Sequence, residues 1–158
     1  MKNSLLSMAA LTALAFAGSA QAGTKIGNNL SRCNAGKGPA VLVTVRGLKS
    51  STGKVRVQSY RATKAEWLKS GRWLNRIEGR ARAGTMSFCM PVPKAGSYGI
   101  AVRHDKNGNG KTDIKSDGGG MSNNPSINIF NLGKPSVRKV AFPVGSGVKR
   151  ITINMKYF

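Results

Sequence analysis

The residues best suited to chemistry lie in one stretch, His104 to Asp113, which reads HDKNGNGKTD. Asp105, Asn107 and Asn109 stand at alternate positions, followed by Gly110 and Asp113. Oxygen-bearing side chains at that spacing either cradle a hard cation or fold a tight loop upon themselves. Asp105, Asp113 and Asp117 are three of only five acidic residues, in a chain of net charge +21. As a calcium loop, Asp105, Asn107 and Asn109 would fill the first three liganding positions and Gly110 would permit the sharp turn. Lys111 would offer its backbone carbonyl, and Asp113 would bind directly or through water. The EF-hand pattern then fails, because its twelfth position is Ser116 rather than a bidentate Glu and no helices are expected to flank the loop. Asp117 stands one residue late and could swing in. Lys106, Lys111 and Lys115 weaken any cation site, so calcium affinity of roughly millimolar order is the expectation on this reading. The competing expectation is a loop satisfied by its own Asp and Asn side chains, with its glycines at positive φ.

His104 is the only histidine. It could serve as a general base or metal ligand beside Asp105, or end a strand with its ring bonded to the loop. No nucleophile accompanies it, so no triad can be assembled, and the leading expectation is a non-catalytic protein. A hydrolase-type enzyme centred on His104, Asp105 and Asp113 is the alternative. No phosphate-binding Gly loop, nucleophile elbow or zinc motif is present.

Trp67 and Trp73 lie among Lys64, Lys69, Arg72, Arg76, Arg80 and Arg82. Interleaved aromatics and cations suit an anionic polymer or a lipid surface. The plainer expectation has Trp67 and Leu68 plugging one end of the fold while the cations are merely solvated. Cys33 and Cys89 are the two cysteines, an even number that suggests a disulfide in an exported chain.

Export is itself an expectation from the first 22 residues. Lys2, the apolar run Leu5 to Phe16 and the segment Gly18-Ser19-Ala20-Gln21-Ala22 read as a signal peptide cleaved after Ala22. A periplasmic or secreted mature chain of 136 residues follows, with no later run long and apolar enough to span a bilayer. That length makes one domain, residues 39–158, preceded by a Gly- and Asn-rich arm over 23–38. A charge of this size speaks about partners and solubility rather than fold. For an exported protein it points to anionic envelope polymers or lipids, or to simple adaptation to the medium. Nucleic acid is a further alternative, open only outside the cell.

The elements that must position these residues alternate with period two. Val41, Val43 and Val45 predict a first strand, and Val55 and Val57 a second. Thr63-x-x-Glu66 is a capping-box signature and predicts a short helical turn over 64–70. Arg76 to Arg82 is too polar for an interior strand and suits an edge or a loop. Met86, Phe88 and Met90 face one way, which turns Cys89 outward, where it could pin the arm. Tyr98, Ile100 and Val102 form the next inward face. A long Asx- and Gly-rich loop is then expected over 104–135, where Ser122-Asn123-Asn124-Pro125 suits a turn. Strands at 137–144 and 148–157 close the chain. About seven short strands with little helix predict an all-β, antiparallel β-sandwich.

Four pieces in order carry a family resemblance: VTVRGLKSSTGKVRVQSY, FCMPVPKAGSYGIAVRHD with its Pro-x-x-Gly-x-Tyr turn, NGNGKTD, and GGMSNNP followed by a strand and ITINMKY. Together they resemble a family of secreted bacterial domains of unknown function, family 2141. The resemblance implies a transthyretin-like or immunoglobulin-like sandwich and an exported location, and supplies no activity. Gly118-Gly119-Gly120-Met121 departs from the bulkier lead into SNN that the family implies.

Overall fold

In the computed structural model, which describes residues 23–128 and 133–157, two β-sheets stack face to face. The expected signal segment lies outside the described residues. The strands are β1 (Thr24–Lys25), β2 (Ala40–Leu48), β3 (Lys54–Arg61), β4 (Asn75–Arg80), β5 (Gly84–Pro91), β6 (Gly96–Asp105), β7 (Gly118–Met121), β8 (Phe142–Val144), β9 (Val148–Asn154) and β10 (Lys156–Tyr157). The larger sheet runs β1-β4-β3-β6-β7-β10, with β8 also on β6, and the smaller runs β5-β2-β9. The all-β sandwich expected from the alternation is the fold observed.

Alternation fixes which side chains meet between the sheets. Val41, Val43 and Val45 of β2, with Phe88, Met90 and Ile153 beside them in the same sheet, face Val55 and Val57 of β3 and Ile100 and Val102 of β6, all in one buried cluster. Each such fully buried side chain contributes about 1.5–3 kcal/mol relative to exposure. The intervening Ala40, Leu42 and Cys89 face the other way and pack on Cys33 of the arm. The Cys33–Cys89 disulfide joins them, as the outward register of Cys89 allows.

The arm ties both sheets together. Its β1 pairs with β4, then Asn28 reaches the outer edge of β5, donating to the Ser87 carbonyl (2.9 Å) and accepting from the Cys89 N–H (3.0 Å). Asn124 treats the opposite edge of the small sheet in the same way. It donates to the Thr152 carbonyl (3.0 Å) and accepts from the Asn154 N–H (2.8 Å) on β9.

Four expectations need correction. The pairings β2–β9 and β1–β4 are parallel, not antiparallel. The chain reaches β9 by crossing from the other sheet, so no hairpin dictates its direction. The segment 137–144 is not one strand but a helical turn, α1 (Val137–Val140), followed by β8. Val137 and Val140 are both buried, a three-residue spacing that one helical turn satisfies, and Pro143 suits only a short strand paired on one side. The loop expected over 104–135 is interrupted by β7, which pairs with β6 and β10. Its glycines let β9 and β10 lie close: a Cβ on Gly118 would meet Tyr157 at 2.4 Å, and one on Gly120 would meet Ile153 at 2.6 Å. Finally, the Glu66 carboxylate turns to Arg61 (3.4 Å) rather than closing a capping box, and the turn is held by the Trp67 N–H on the Thr63 carbonyl (2.9 Å).

Candidate anion-binding site

The outer face of the larger sheet, opposite the core, is organised in rows set by strand register. Glu78, Arg56, Arg103 and Gly119 lie side by side across β4, β3, β6 and β7. The next row is Arg76, Gln58, Ala101 and Met121, and beyond it Tyr60 pairs with Gly99. Polarity therefore falls along the strands from a charged row to an aromatic one, over roughly 13 Å at 3.3 Å per residue.

Two irregular segments wall this face into a concave cavity of about 470 Å³. At the apolar end Trp67 packs edge-on against Tyr60 (5.3 Å between centroids) and donates from Nε1 to the Pro135 carbonyl (2.9 Å). Tyr60, Trp67, Met121, Ile127, Val137 and Val140 form a second apolar cluster there, with Leu68 and Trp73 at its margin. Trp67 and Leu68 thus cover part of the outer face of the larger sheet, rather than plugging one end of the sandwich as the plainer sequence reading expects. At the charged end the wall is the loop after β6, and Ile114 on it is 44% exposed.

Three guanidinium groups converge between these walls. Arg56 Nε donates to Glu78 Oε1 (2.6 Å), and Arg76 Nη1 lies 3.7 Å from the same oxygen. Arg76 also stacks on Trp73, its central carbon 4.3 Å from the ring centroid. Arg103 donates from Nη1 to Thr112 Oγ1 (2.9 Å) and from Nη2 to the Gly110 carbonyl (2.8 Å), pinning the loop. The Nε atoms of Arg76 and Arg103 are buried without a hydrogen-bond partner among the described residues. Burial, and then the charge of Arg56, hold both guanidinium groups below their ordinary range. Burial alone would raise the Glu78 carboxyl, but the hydrogen bond and charge of Arg56, with Arg76, hold it below its usual value.

The acidic groups nearby are already occupied. Asp113 Oδ2 accepts from Asn107 Nδ2 and Asn109 Nδ2, each at 2.7 Å, and these bonds hold its carboxyl below the ordinary range. Asp117 accepts from the Lys106 and Asp113 N–H groups, at 3.1 and 3.0 Å. Asp105 Oδ2 accepts from the Gly110 N–H at 2.8 Å, and Arg103 Nη2 lies 3.5 Å away. Asn107 and Asn109 turn their amide oxygens to the N–H groups of Asn109 and Lys111. The loop is thus closed by its own side chains. Among the described residues no three His, Cys, Asp or Glu groups come together around a cation position, although Oδ1 of the buried Asp105 has no partner.

His104 faces the other side of β6. It is fully buried, and its Nε2 lies 2.8 Å from the Thr52 carbonyl while Nδ1 lies 2.7 Å from the Tyr157 hydroxyl. A carbonyl only accepts, so Nε2 donates to Thr52. As neighbours on a strand, His104 and Asp105 point to opposite faces, so the structure does not bring them together.

Of the basic and aromatic positions read from the sequence, Lys69, Trp73 and Arg76 line the cavity. Lys64, Arg72, Arg80 and Arg82 are exposed and do not line it. Sequence reading missed Arg56 and Arg103. Their signal was an arginine at the outward position of an otherwise inward-apolar strand, but only register shows that they stand directly opposite each other.

The fold and cavity define a β-sandwich domain with a cationic pocket on one outer face. The chain belongs to the family described as an uncharacterized protein conserved in bacteria (DUF2141), matched over residues 43–152, a span that contains every residue lining the cavity. This is the family that the strand and loop motifs resemble. No curated protein and no solved structure matches the chain.

Proposed function

We propose that the protein is an exported, non-catalytic binding module that holds anionic cell-envelope material on the outer face of its larger sheet. The observation that supports this is the convergence of Arg56, Arg76 and Arg103 from three adjacent strands on one concavity. A guanidinium carries five donors in a planar fork suited to carboxylate and phosphate, and Glu78 and Asp105 take up only part of that capacity in these three arginines. The use of both ring nitrogens of His104 in hydrogen bonds to the Thr52 carbonyl and the Tyr157 hydroxyl favours binding over catalysis.

The test is co-sedimentation with phosphatidylglycerol vesicles and with lipopolysaccharide, using phosphatidylcholine vesicles and duplex DNA as controls. Retention on the anionic envelope materials is expected to fall with added salt and to drop in Arg56→Gln/Arg76→Gln. Equal retention on neutral vesicles, or indifference to salt, sinks the reading, and preference for DNA transfers it to nucleic acid. The loop 105–117 serves here as a self-bonded wall of the site, so calcium up to millimolar concentration is expected to leave the melting temperature unchanged. A saturable rise that Asp105→Ala removes would make the loop a metal site instead.

A further inference from the structure

We infer that the pocket takes an amphipathic anion: one carboxylate or phosphate headgroup attached to an apolar body. This rests on the anion-binding reading and deepens it. The geometry that carries it is the ordered change along the strands, from the Arg56–Arg103 row through Arg76 and Met121 to Tyr60. A site for a bare ion or a hydrophilic glycan gains nothing from an apolar end. Here Met121 and Ile127 are packed under the same roof as the arginines, and Ile114 stands exposed at the mouth. The headgroup meets Arg56 and Arg76, whose Nη atoms make no hydrogen bond among the described residues, and the apolar body lies along Met121 toward Tyr60. A cavity of about 470 Å³ suits one small molecule of this kind.

The two ends also answer each other energetically. A headgroup in water loses hydration on entering, which the guanidinium groups replace with charge-assisted bonds. The apolar body gains by leaving water. Neither a cation with the same tail nor an anion without one gains both.

Gly119 supplies a variant that preserves charge. It lines the pocket, and a Cβ there would meet nothing within 4 Å. Gly119→Leu therefore fills the cavity from a strand position that accepts a side chain. The experiment is calorimetric titration of the mature protein with decanoate below its micellar concentration. Parallel titrations use decyltrimethylammonium and inorganic phosphate, and melting curves confirm that each variant is folded. Expected are one-to-one binding of decanoate, no binding of the cation, phosphate weaker than decanoate by at least tenfold, and loss of decanoate affinity by at least tenfold in both Gly119→Leu and Arg76→Gln. Displacement of the protein from phosphatidylglycerol vesicles by decanoate would show that the same pocket also takes a membrane lipid headgroup. Binding without displacement would show a ligand drawn from solution. Phosphate binding as tightly as decanoate overturns the inference and leaves the anion-binding reading standing. Failure of decanoate, phosphate and anionic vesicles together overturns both. Equal decanoate binding by Gly119→Leu places the ligand elsewhere and also overturns the inference.

Discussion

Arg103 performs two tasks with one guanidinium group. Its Nη atoms hold Thr112 and Gly110 of the loop, while the residue also lines the cavity. Lysine would keep the charge but lose the planar fork. Arg103→Lys is therefore expected to speed amide exchange across residues 106–117 at little change in global stability, as hydrogen-exchange mass spectrometry would read. Glu78 sets a pH dependence. Its folded-state carboxyl titrates below its ordinary value near 4.5, through the Arg56 hydrogen bond and the charges of Arg56 and Arg76. Stability from a depressed carboxylate is present above the unfolded pKa and lost as pH falls through the folded one. The melting-temperature gap between the native protein and Glu78→Gln should thus be open at neutral pH and close in acid below about that value. A gap that widens in acid would contradict the assignment.

At the scale of elements, two glycines on neighbouring strands make opposite predictions. A Cβ on Gly99 would lie 2.8 Å from the Trp67 ring, which its bond to the Pro135 carbonyl prevents from swinging away. Gly99→Ala is expected to destabilise by about 1–3 kcal/mol in urea unfolding, the usual penalty of overpacking. Gly119→Ala, with open space before it, should be neutral or stabilise by up to about 1 kcal/mol through the unfolded chain. Sequence and structure part company at such positions. Alternating valines in β2 and β3 announce strands because one face is buried, and the core follows directly. Gly118 to Gly120 announce a loop, because a strand without side chains has no pattern to read. What makes β7 a strand is the Tyr157 ring and Ile153 lying against it, and those contacts come from β9 and β10, more than thirty residues downstream. The cationic pocket is hidden for the same reason. Arg56, Arg76 and Arg103 are far apart in sequence and become neighbours only when β3 pairs with both β4 and β6. The loop 105–117 was legible as a closed Asx network because its bonding partners are close in sequence.

For the whole molecule, the Cys33–Cys89 bond closes a separation of 56 residues. A loop of that length limits the unfolded chain by about 4 kcal/mol in the entropy model. Cys33→Ser/Cys89→Ser should lose stability of that order in denaturant titration, with the arm the first segment to become protease-sensitive. The two asparagines on the rims of the small sheet then acquire a wider meaning. Asn28 and Asn124 each offer the rim a donor and an acceptor, as a neighbouring strand would, but in a side chain that cannot itself be extended. They act as chain terminators for β-polymerisation, a hazard that unpaired strands otherwise invite. Asn28 lies between β1, which is paired with β4, and Cys33, which is bonded to β5, so one of those terminators is anchored on both sides along the chain.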